Sequence, residues 1–193
     1  GKNRMTNRAL FLTMIIGLLF ASCGGAVTSD EQARLAYLGL DNSVDRAIVL
    51  GLEGFAAAKS ANIPAQTGNG NIQGTMTISG QVDQGSSDNK EMRLVMELVN
   101  YSDVQDYVYS TTEAAPQLDL SLKKIPNGTM TGTLTGDFEM TGLLIGTVHL
   151  SLNISSQLEE NLQTGFPQRK AGTVNVTGTA ESDFGTYTVE VTH

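Results

Sequence analysis

Three hydrophobic patterns divide the chain. From residue 74 to the C-terminus, apolar and polar residues alternate with a period of two. This is the pattern of strands in a half-buried sheet. Over Val44–Lys59 the apolar residues recur every three to four positions, which predicts an amphipathic helix. Ahead of both, Ala9–Ala21 is an apolar segment without a charge.

The alternating region predicts seven or eight strands with short connections, which favour antiparallel neighbours. The predicted strands are Gly74–Val82, Glu91–Tyr101, a weaker Val104–Ser110, Leu118–Lys123, Thr129–Thr141, Leu144–Ser155, Thr173–Ala180 and Gly185–Thr192. One face of these strands is apolar and the other is rich in hydroxyl groups. An antiparallel sheet with one face on a core and the other in water has this composition.

The region before the strands predicts two helices. Ser29 and Gln32 have capping-box spacing and begin a short helix, Asp30–Leu38. The second helix is Val44–Lys59, and its N-terminal cap would be Asp41, Asn42 or Ser43. Within it, Gly51 and Gly54 each cost about 1 kcal/mol relative to alanine, which close packing against a sheet would offset.

Two segments are predicted as loops because glycine, asparagine or proline is frequent in them or because no pattern continues through them. They are Ser60–Gly74 and Ser156–Gly172. The predicted fold class is therefore mainly β (α+β). It is an antiparallel meander sheet of seven to eight strands, curled or half-barrel, with the N-terminal helix packed on its apolar face.

Five methionines lie on the predicted apolar face: Met76, Met92, Met96, Met130 and Met140. Methionine fills irregular gaps in cores and also suits adaptable apolar binding surfaces. The five residues therefore form either an ordinary core or the wall of an incompletely filled concavity that binds an apolar ligand such as a lipid.

The apolar segment Ala9–Ala21 is too short to span a bilayer, which takes about 20 residues. Its length fits the core of a secretory signal peptide, and Lys2, Arg4 and Arg8 supply the positive flank. The only cysteine of the chain, Cys23, follows directly after the small residues at its end. A single cysteine cannot form an internal disulfide.

At these residues the chain resembles bacterial lipoproteins, whose lipobox places an aliphatic residue and two small residues before a cysteine. Ala21, Ser22 and Cys23 match this pattern, and Phe20 stands where leucine is usual. The resemblance implies that residues 1–22 are a signal peptide and that Cys23 is lipidated. No aspartate follows Cys23 as an inner-membrane retention signal, which implies the outer membrane, with the protein facing the periplasm or the surface.

The expected organisation has three parts. Residues 1–22 are the lipoprotein signal peptide, residues 23–40 are a lipidated tether and short helix, and residues 41–193 are a single domain of helix and antiparallel sheet. Within the second part, Ala26–Gln32 is expected to be a short tether. Removal of the signal peptide takes away three positive charges and changes the net charge from −8 to −11. Such a body repels nucleic acid and anionic lipid surfaces, so neither is an expected partner.

Candidate chemistry is sparse in this sequence. His149 lies on the hydroxyl-rich face and His193 is the last residue, and neither has the pattern of a catalytic triad. Neither Asp103 with Asp106 nor the Glu159–Glu160 pair has the spacing of a calcium loop. We therefore expect no catalytic residue, metal or cofactor.

Three functions remain open at this stage. The first is a monomeric, lipid-anchored envelope lipoprotein with a non-enzymatic structural or interaction role and a protein partner. The second is a binder or carrier of an apolar ligand in a curved sheet. The third is an envelope hydrolase that uses scattered carboxylates.

Overall fold

The computed structural model describes residues 24–83 and 88–193, in which a curled antiparallel sheet packs on two helices. The helices are α1 (Asp30–Leu38) and α2 (Asp41–Ala57). The strands are β1 (Asn62–Asn69), β2 (Gln73–Val82), β3 (Lys90–Val104), β4 (Tyr107–Thr111), β5 (Gln117–Lys123), β6 (Thr129–Gly142), β7 (Gly146–Glu160), β8 (Pro167–Arg169), β9 (Asn175–Ser182) and β10 (Gly185–Thr192). The predicted mainly β fold is confirmed.

The sheet follows the chain with one local division. Its order is β1-β2-β3-β4-β6-β7-β9-β10, and β5 also lies between β3 and β6. Thus β4 pairs with one half of β3 and β6, and β5 pairs with the other half. The short strand β8 pairs with β7 alone. All these strand pairings are antiparallel, as the short connections predict.

This meander places the connections at two opposite ends of the sheet. Four tight turns, β1–β2, β3–β4, β6–β7 and β9–β10, share the end that we call the turn end. The β2–β3 and β5–β6 connections, the segment 161–174 with β8, and the C-terminus share the other end, which we call the loop end. The strand β6 has 14 residues. At about 3.4 Å per residue, β6 itself spans on the order of 40 Å, but the sheet is curled, and Asn161 and Gln168 of the loop end line the same surface cleft as Asn71 of the β1–β2 turn.

The core lies between the apolar face of the sheet and the two helices. α1 packs on β10, and α2 packs on β1, β2, β3 and β8. The predicted role of the two helical glycines is confirmed, because each lies where a side chain would collide with the sheet. A Cβ atom on Gly51 would lie 2.3 Å from the Cε of Met92, and one on Gly54 would lie 3.0 Å from the Cδ1 of Ile63.

Two predicted loops contain strands. β1 lies within the predicted loop Ser60–Gly74, and β8 lies within the predicted loop Ser156–Gly172, into which β7 also extends. β1 is an edge strand in which only Ile63 is buried, so it has no apolar alternation to detect. An edge strand also tolerates proline, which explains Pro64.

The predicted helix starts are partly correct. Ser29 caps α1, since its Oγ accepts a hydrogen bond from the backbone nitrogen of Gln32. The Gln32 side chain in turn accepts from the backbone nitrogen of Thr28, one residue before the position a capping box uses. The predicted cap of α2 is wrong. Leu40 occupies the cap position without a side-chain hydrogen bond. Asp41 is already the first residue of the helix, and its carboxylate pairs with Arg169 instead of capping the helix.

Within the described ranges, neither helix combines the length and the apolarity that crossing a membrane requires.

Candidate functional site

The N-terminal segment is fastened to the turn end of the sheet. The backbone nitrogen of Gly25 donates to the Leu143 carbonyl at 3.0 Å, and Ile145 donates to the Gly25 carbonyl at 3.0 Å. Gly25 therefore forms a parallel bridge with Leu144 in the β6–β7 turn. The chain thus enters the described domain beside this turn.

The neighbouring residues tighten this attachment. A Cβ atom on Gly24 would lie 2.2 Å from the Gly142 carbonyl oxygen and 2.7 Å from a methyl carbon of Ile145, so only glycine fits here. Val27 is buried, and its carbonyl accepts a hydrogen bond from Ser182 Oγ at 2.7 Å. The segment Ala26–Gln32, expected to be a short tether, is instead packed on the sheet or included in α1. Cys23, the predicted lipidation site, lies outside the described residues.

The five methionines are all in the core. Met76, Met92, Met96, Met130 and Met140 are at most 2 % exposed and belong to one continuous apolar cluster. In this arrangement α2 lies against β2 and β3, and Met92 contacts the surface of α2 at Gly51. Ligand binding by these methionines stays a prediction.

A cleft runs beside the outer face of α2, with a volume of about 370 Å³. Its lining comes from α2 (Asn42, Asp45, Arg46, Val49, Leu50, Glu53), the β1–β2 region (Gly68, Asn71) and the loop end (Asn161, Thr164, Pro167, Gln168). Exposed polar residues of α2 recur there at helical spacing. A surface of charged, amide and apolar side chains can bind a polar partner if its charged groups are not already paired within the protein.

An ion-pair network closes the cleft on the β8 side. Arg169 is buried, and its guanidinium contacts both carboxylate oxygens of Asp41, at 2.8 and 3.1 Å. It also contacts Asp45 Oδ2 at 2.8 Å, while Tyr37 donates a hydrogen bond to Asp41 at 2.6 Å. His193 Nε2 lies 3.1 Å from the same carboxylate. These groups join α1, α2, β8 and the C-terminus.

The network sets the protonation of its members. Burial raises the pKa of the Asp41 carboxyl, but the hydrogen bonds and charge of Arg169, together with Tyr37 and His193, outweigh burial and leave that pKa below its usual value. Burial and the neighbouring Asp41 charge raise the pKa of the Tyr37 hydroxyl. Burial opposes the charge of Arg169, but hydrogen bonds to Asp45 and Asp41 outweigh it and raise the guanidinium pKa. Asp41 and Arg169 are therefore a charged pair at neutral pH.

A second arginine is held on the other side of the cleft. Arg46 donates to the Tyr101 hydroxyl at 3.0 Å and to Asn71 Oδ1 at 2.8 Å, and it lies 3.4 Å from Asp103 Oδ1. Tyr101 also donates to Asp103, whose other oxygen accepts from the Asn71 backbone at 2.8 Å. Arg46 in the cleft and Arg169 beside it are thus both paired with carboxylates of the chain itself.

The most reactive arrangement on the outer face of the sheet is a histidine–carboxylate pair. His149 Nδ1 lies 2.7 Å from Asp137 Oδ1, in a depression of about 400 Å³ that Glu181, Ser182 and Asp183 also line. The hydroxyl of Ser182 is already directed to the Val27 carbonyl, so it is not placed as a nucleophile for His149. Nothing within the described ranges groups three or more His, Cys, Asp or Glu side chains that could hold a metal ion.

The acidic residues Asp103 and Asp106 do not form a shared site. Asp103 is buried against Arg46, whereas Asp106 is exposed in the β3–β4 turn. Sequence reasoning missed Arg46 and Arg169, since each pairs with partners far away along the chain and neither belongs to a local motif.

No protein family model, no curated protein and no solved structure matches this chain.

Proposed function

We propose that this protein is a lipid-anchored lipoprotein of the bacterial cell envelope, held in the outer membrane through Cys23, with a non-enzymatic structural or interaction role. One observation supports this proposal above the others. The residue that follows Cys23, Gly24, packs directly on the β6–β7 turn, and Gly25 is hydrogen-bonded to that turn. A lipid on Cys23 would therefore be joined to the domain through a single residue.

The physical basis of anchoring is the lipid itself. Each buried methylene of an acyl chain adds about 0.8 kcal/mol, so several chains on one cysteine hold a protein far more firmly than one chain does. The packed N-terminal segment then holds the domain close to the membrane in one orientation. A long mobile linker would allow many orientations.

The interaction role rests on the cleft beside α2. Its one arginine, Arg46, is occupied by internal partners, and apart from Asp45 and Glu53 the remaining side chains of its lining are amide, hydroxyl or apolar. Such a lining suits the binding of a protein segment better than the binding of a small charged molecule.

Membrane fractionation of the full chain tests the anchor. Wild type and Cys23→Ala are produced in a bacterium fed an alkyne-tagged fatty acid. We expect label on the wild type alone, and we expect only the variant to leave the membranes in a salt wash. Leu162→Ala, at the exposed loop end, is the matched control and should behave as wild type. A labelled Cys23→Ala protein, or one that stays in washed membranes, would contradict the proposal.

Binding of an apolar ligand is a second candidate, favoured by a depression of about 390 Å³ at the loop end. Leu52 and Phe55 of α2 line it together with Ile125, Phe166 and Pro167. Native mass spectrometry of the Cys23→Ala chain tests this candidate. An extra mass that organic solvent extracts would support it, and a bare chain mass would contradict it.

A further inference from the structure

Exposed apolar side chains are concentrated at one end of the molecule. Among the described residues, seven large apolar side chains are exposed; four of these lie in turns of the turn end, and a fifth, Val104, is the last strand residue before one. The five, which we call the apolar rim, are Ile72 (51 % exposed), Val104 (36 %), Leu143 (42 %), Ile145 (44 %) and Phe184 (65 %). Scattered exposed apolar residues are ordinary, but three of the four turns at this end carry at least one, and Val104 directly precedes the fourth.

The lysines lie at the opposite end from these apolar side chains. Every lysine of the described ranges lies at the loop end or next to it: Lys59, Lys90, Lys123, Lys124 and Lys170. The four turns of the turn end contain neither lysine nor arginine, and their only exposed charges are Asp106 and Asp183. The apolar rim and the lysines of the described ranges are therefore at different ends of the strands.

The apolar rim is continuous with the point where the chain enters the domain. Gly24 contacts Ile145, and Gly25 is bridged between the backbones of Leu143 and Ile145. From there the chain passes to Val27, whose carbonyl accepts a hydrogen bond from Ser182, the last residue of β9; the Ser182 Oγ also accepts from the backbone nitrogen of Phe184 in the β9–β10 turn. The segment after Cys23 thus lies along two of the turns that carry the rim.

We propose that the apolar rim is a membrane-docking surface, with its turn side chains inserted into the headgroup region of a zwitterionic bilayer and the loop end directed away from it. This inference rests on the proposed function, because the lipid on Cys23 brings the rim to the membrane. An apolar surface next to the lipid adds buried apolar area to the attachment that the acyl chains provide. The two aspartates disfavour an anionic surface, which selects a zwitterionic one.

Depth-dependent fluorescence quenching of the full chain tests this orientation. An environment-sensitive maleimide dye is attached to Phe184→Cys in the rim or to Leu162→Cys, the matched control, which is 91 % exposed at the loop end. The proteins are reconstituted in phosphatidylcholine vesicles that contain a doxyl-labelled lipid. We expect blue-shifted emission and loss of most of the signal for the dye at position 184, and neither change at position 162.

The same labelling separates failure of the anchor from failure of the rim. A wild-type chain that reacts with the dye has a free Cys23, and this result contradicts the proposed function. The rim is then tested with the Cys23→Ala background and added vesicles, where quenching at position 184 alone would support it. In either background, equal quenching at the two positions overturns the rim. The rim would instead bind a protein partner if Phe184→Cys is protected from the maleimide dye in cells and a dye at this position is not quenched in vesicles. This result would also overturn the proposal.

Discussion

The guanidinium of Arg169 and the carboxylate of Asp41 form a two-point ion pair across 128 residues of sequence, with nitrogen–oxygen distances of 2.8 and 3.1 Å. Asp41 is the first residue of α2, and Arg169 is the last residue of the three-residue strand β8. The pair fixes the start of α2 to the loop end of the sheet. Because the Arg169 side chain is only 2 % exposed, its loss leaves the Asp41 carboxylate without its guanidinium partner in a largely buried site.

Arg169→Met should destabilise the fold by about 3–5 kcal/mol, since breaking a buried ion pair leaves one charge uncompensated. Urea denaturation of the Cys23→Ala chain, with and without this substitution, measures the difference. Arg34→Met is the control, because the Arg34–Glu31 pair is exposed to solvent and such pairs contribute little to stability. Equal losses for the two variants would show that the Arg169 network does not stabilise the fold.

The same pair makes stability depend on pH in the acidic range. The pKa of Asp41 is lower in the folded protein than in the unfolded chain, so the unfolded chain takes up a proton first as pH falls. The contribution is fully present above the unfolded value of about 3.9 and is lost as pH falls from there through the folded pKa. Denaturation between neutral pH and pH values below 3.9 should show this loss in wild type and a smaller one in Asp41→Asn. If wild type and Asp41→Asn lose the same stability over this pH range, the loss does not come from Asp41.

The strands whose buried and exposed residues alternate along the chain could be predicted from the sequence. Strands such as β6 and β7 were predictable because buried Leu134, Phe138 and Val148 alternate with exposed threonines and serines. The Arg169 site was not predictable, because a charged residue in a loop with glycine and proline gives no sign of a partner 128 residues away. β8 went undetected for the same reason, since its position depends on that contact and on pairing with the end of β7.

Gly54→Leu should destabilise the fold by about 1–3 kcal/mol, because a side chain here is forced against Ile63 and the Pro64 carbonyl of β1. Glu53→Leu is the control, since it introduces the same side chain at the adjacent, exposed position of α2. Thermal unfolding by circular dichroism measures both. If Gly54→Leu is as stable as Glu53→Leu, the close approach of α2 and β1 is not required.

Gly24→Val should detach the N-terminal segment from the β6–β7 turn, because any Cβ at this position collides with the Gly142 carbonyl. Hydrogen exchange measured by mass spectrometry should then show faster exchange at the amides of Gly25 and Ile145, whose hydrogen bonds form the attachment. Exchange at Leu134 in the centre of β6 should not change and serves as the internal reference. Unchanged protection at Gly25 would show that the segment is held by other contacts.

The two exposed aspartates of the turn end should set the lipid preference of the docked protein. Anionic vesicles should quench a dye at Leu143→Cys less than zwitterionic vesicles do, and added salt should reduce the difference, because the Debye length falls from about 10 Å at 0.1 M to about 3 Å at 1 M. Asp106→Asn with Asp183→Asn should remove most of this preference, each charge near an anionic surface contributing about 1 kcal/mol. Asp88→Asn with Asp119→Asn is the matched control, since it removes two exposed charges on or toward the loop end. If the control substitutions increase quenching in anionic vesicles as much as Asp106→Asn with Asp183→Asn does, the lipid preference comes from the net charge rather than from a surface that faces the membrane.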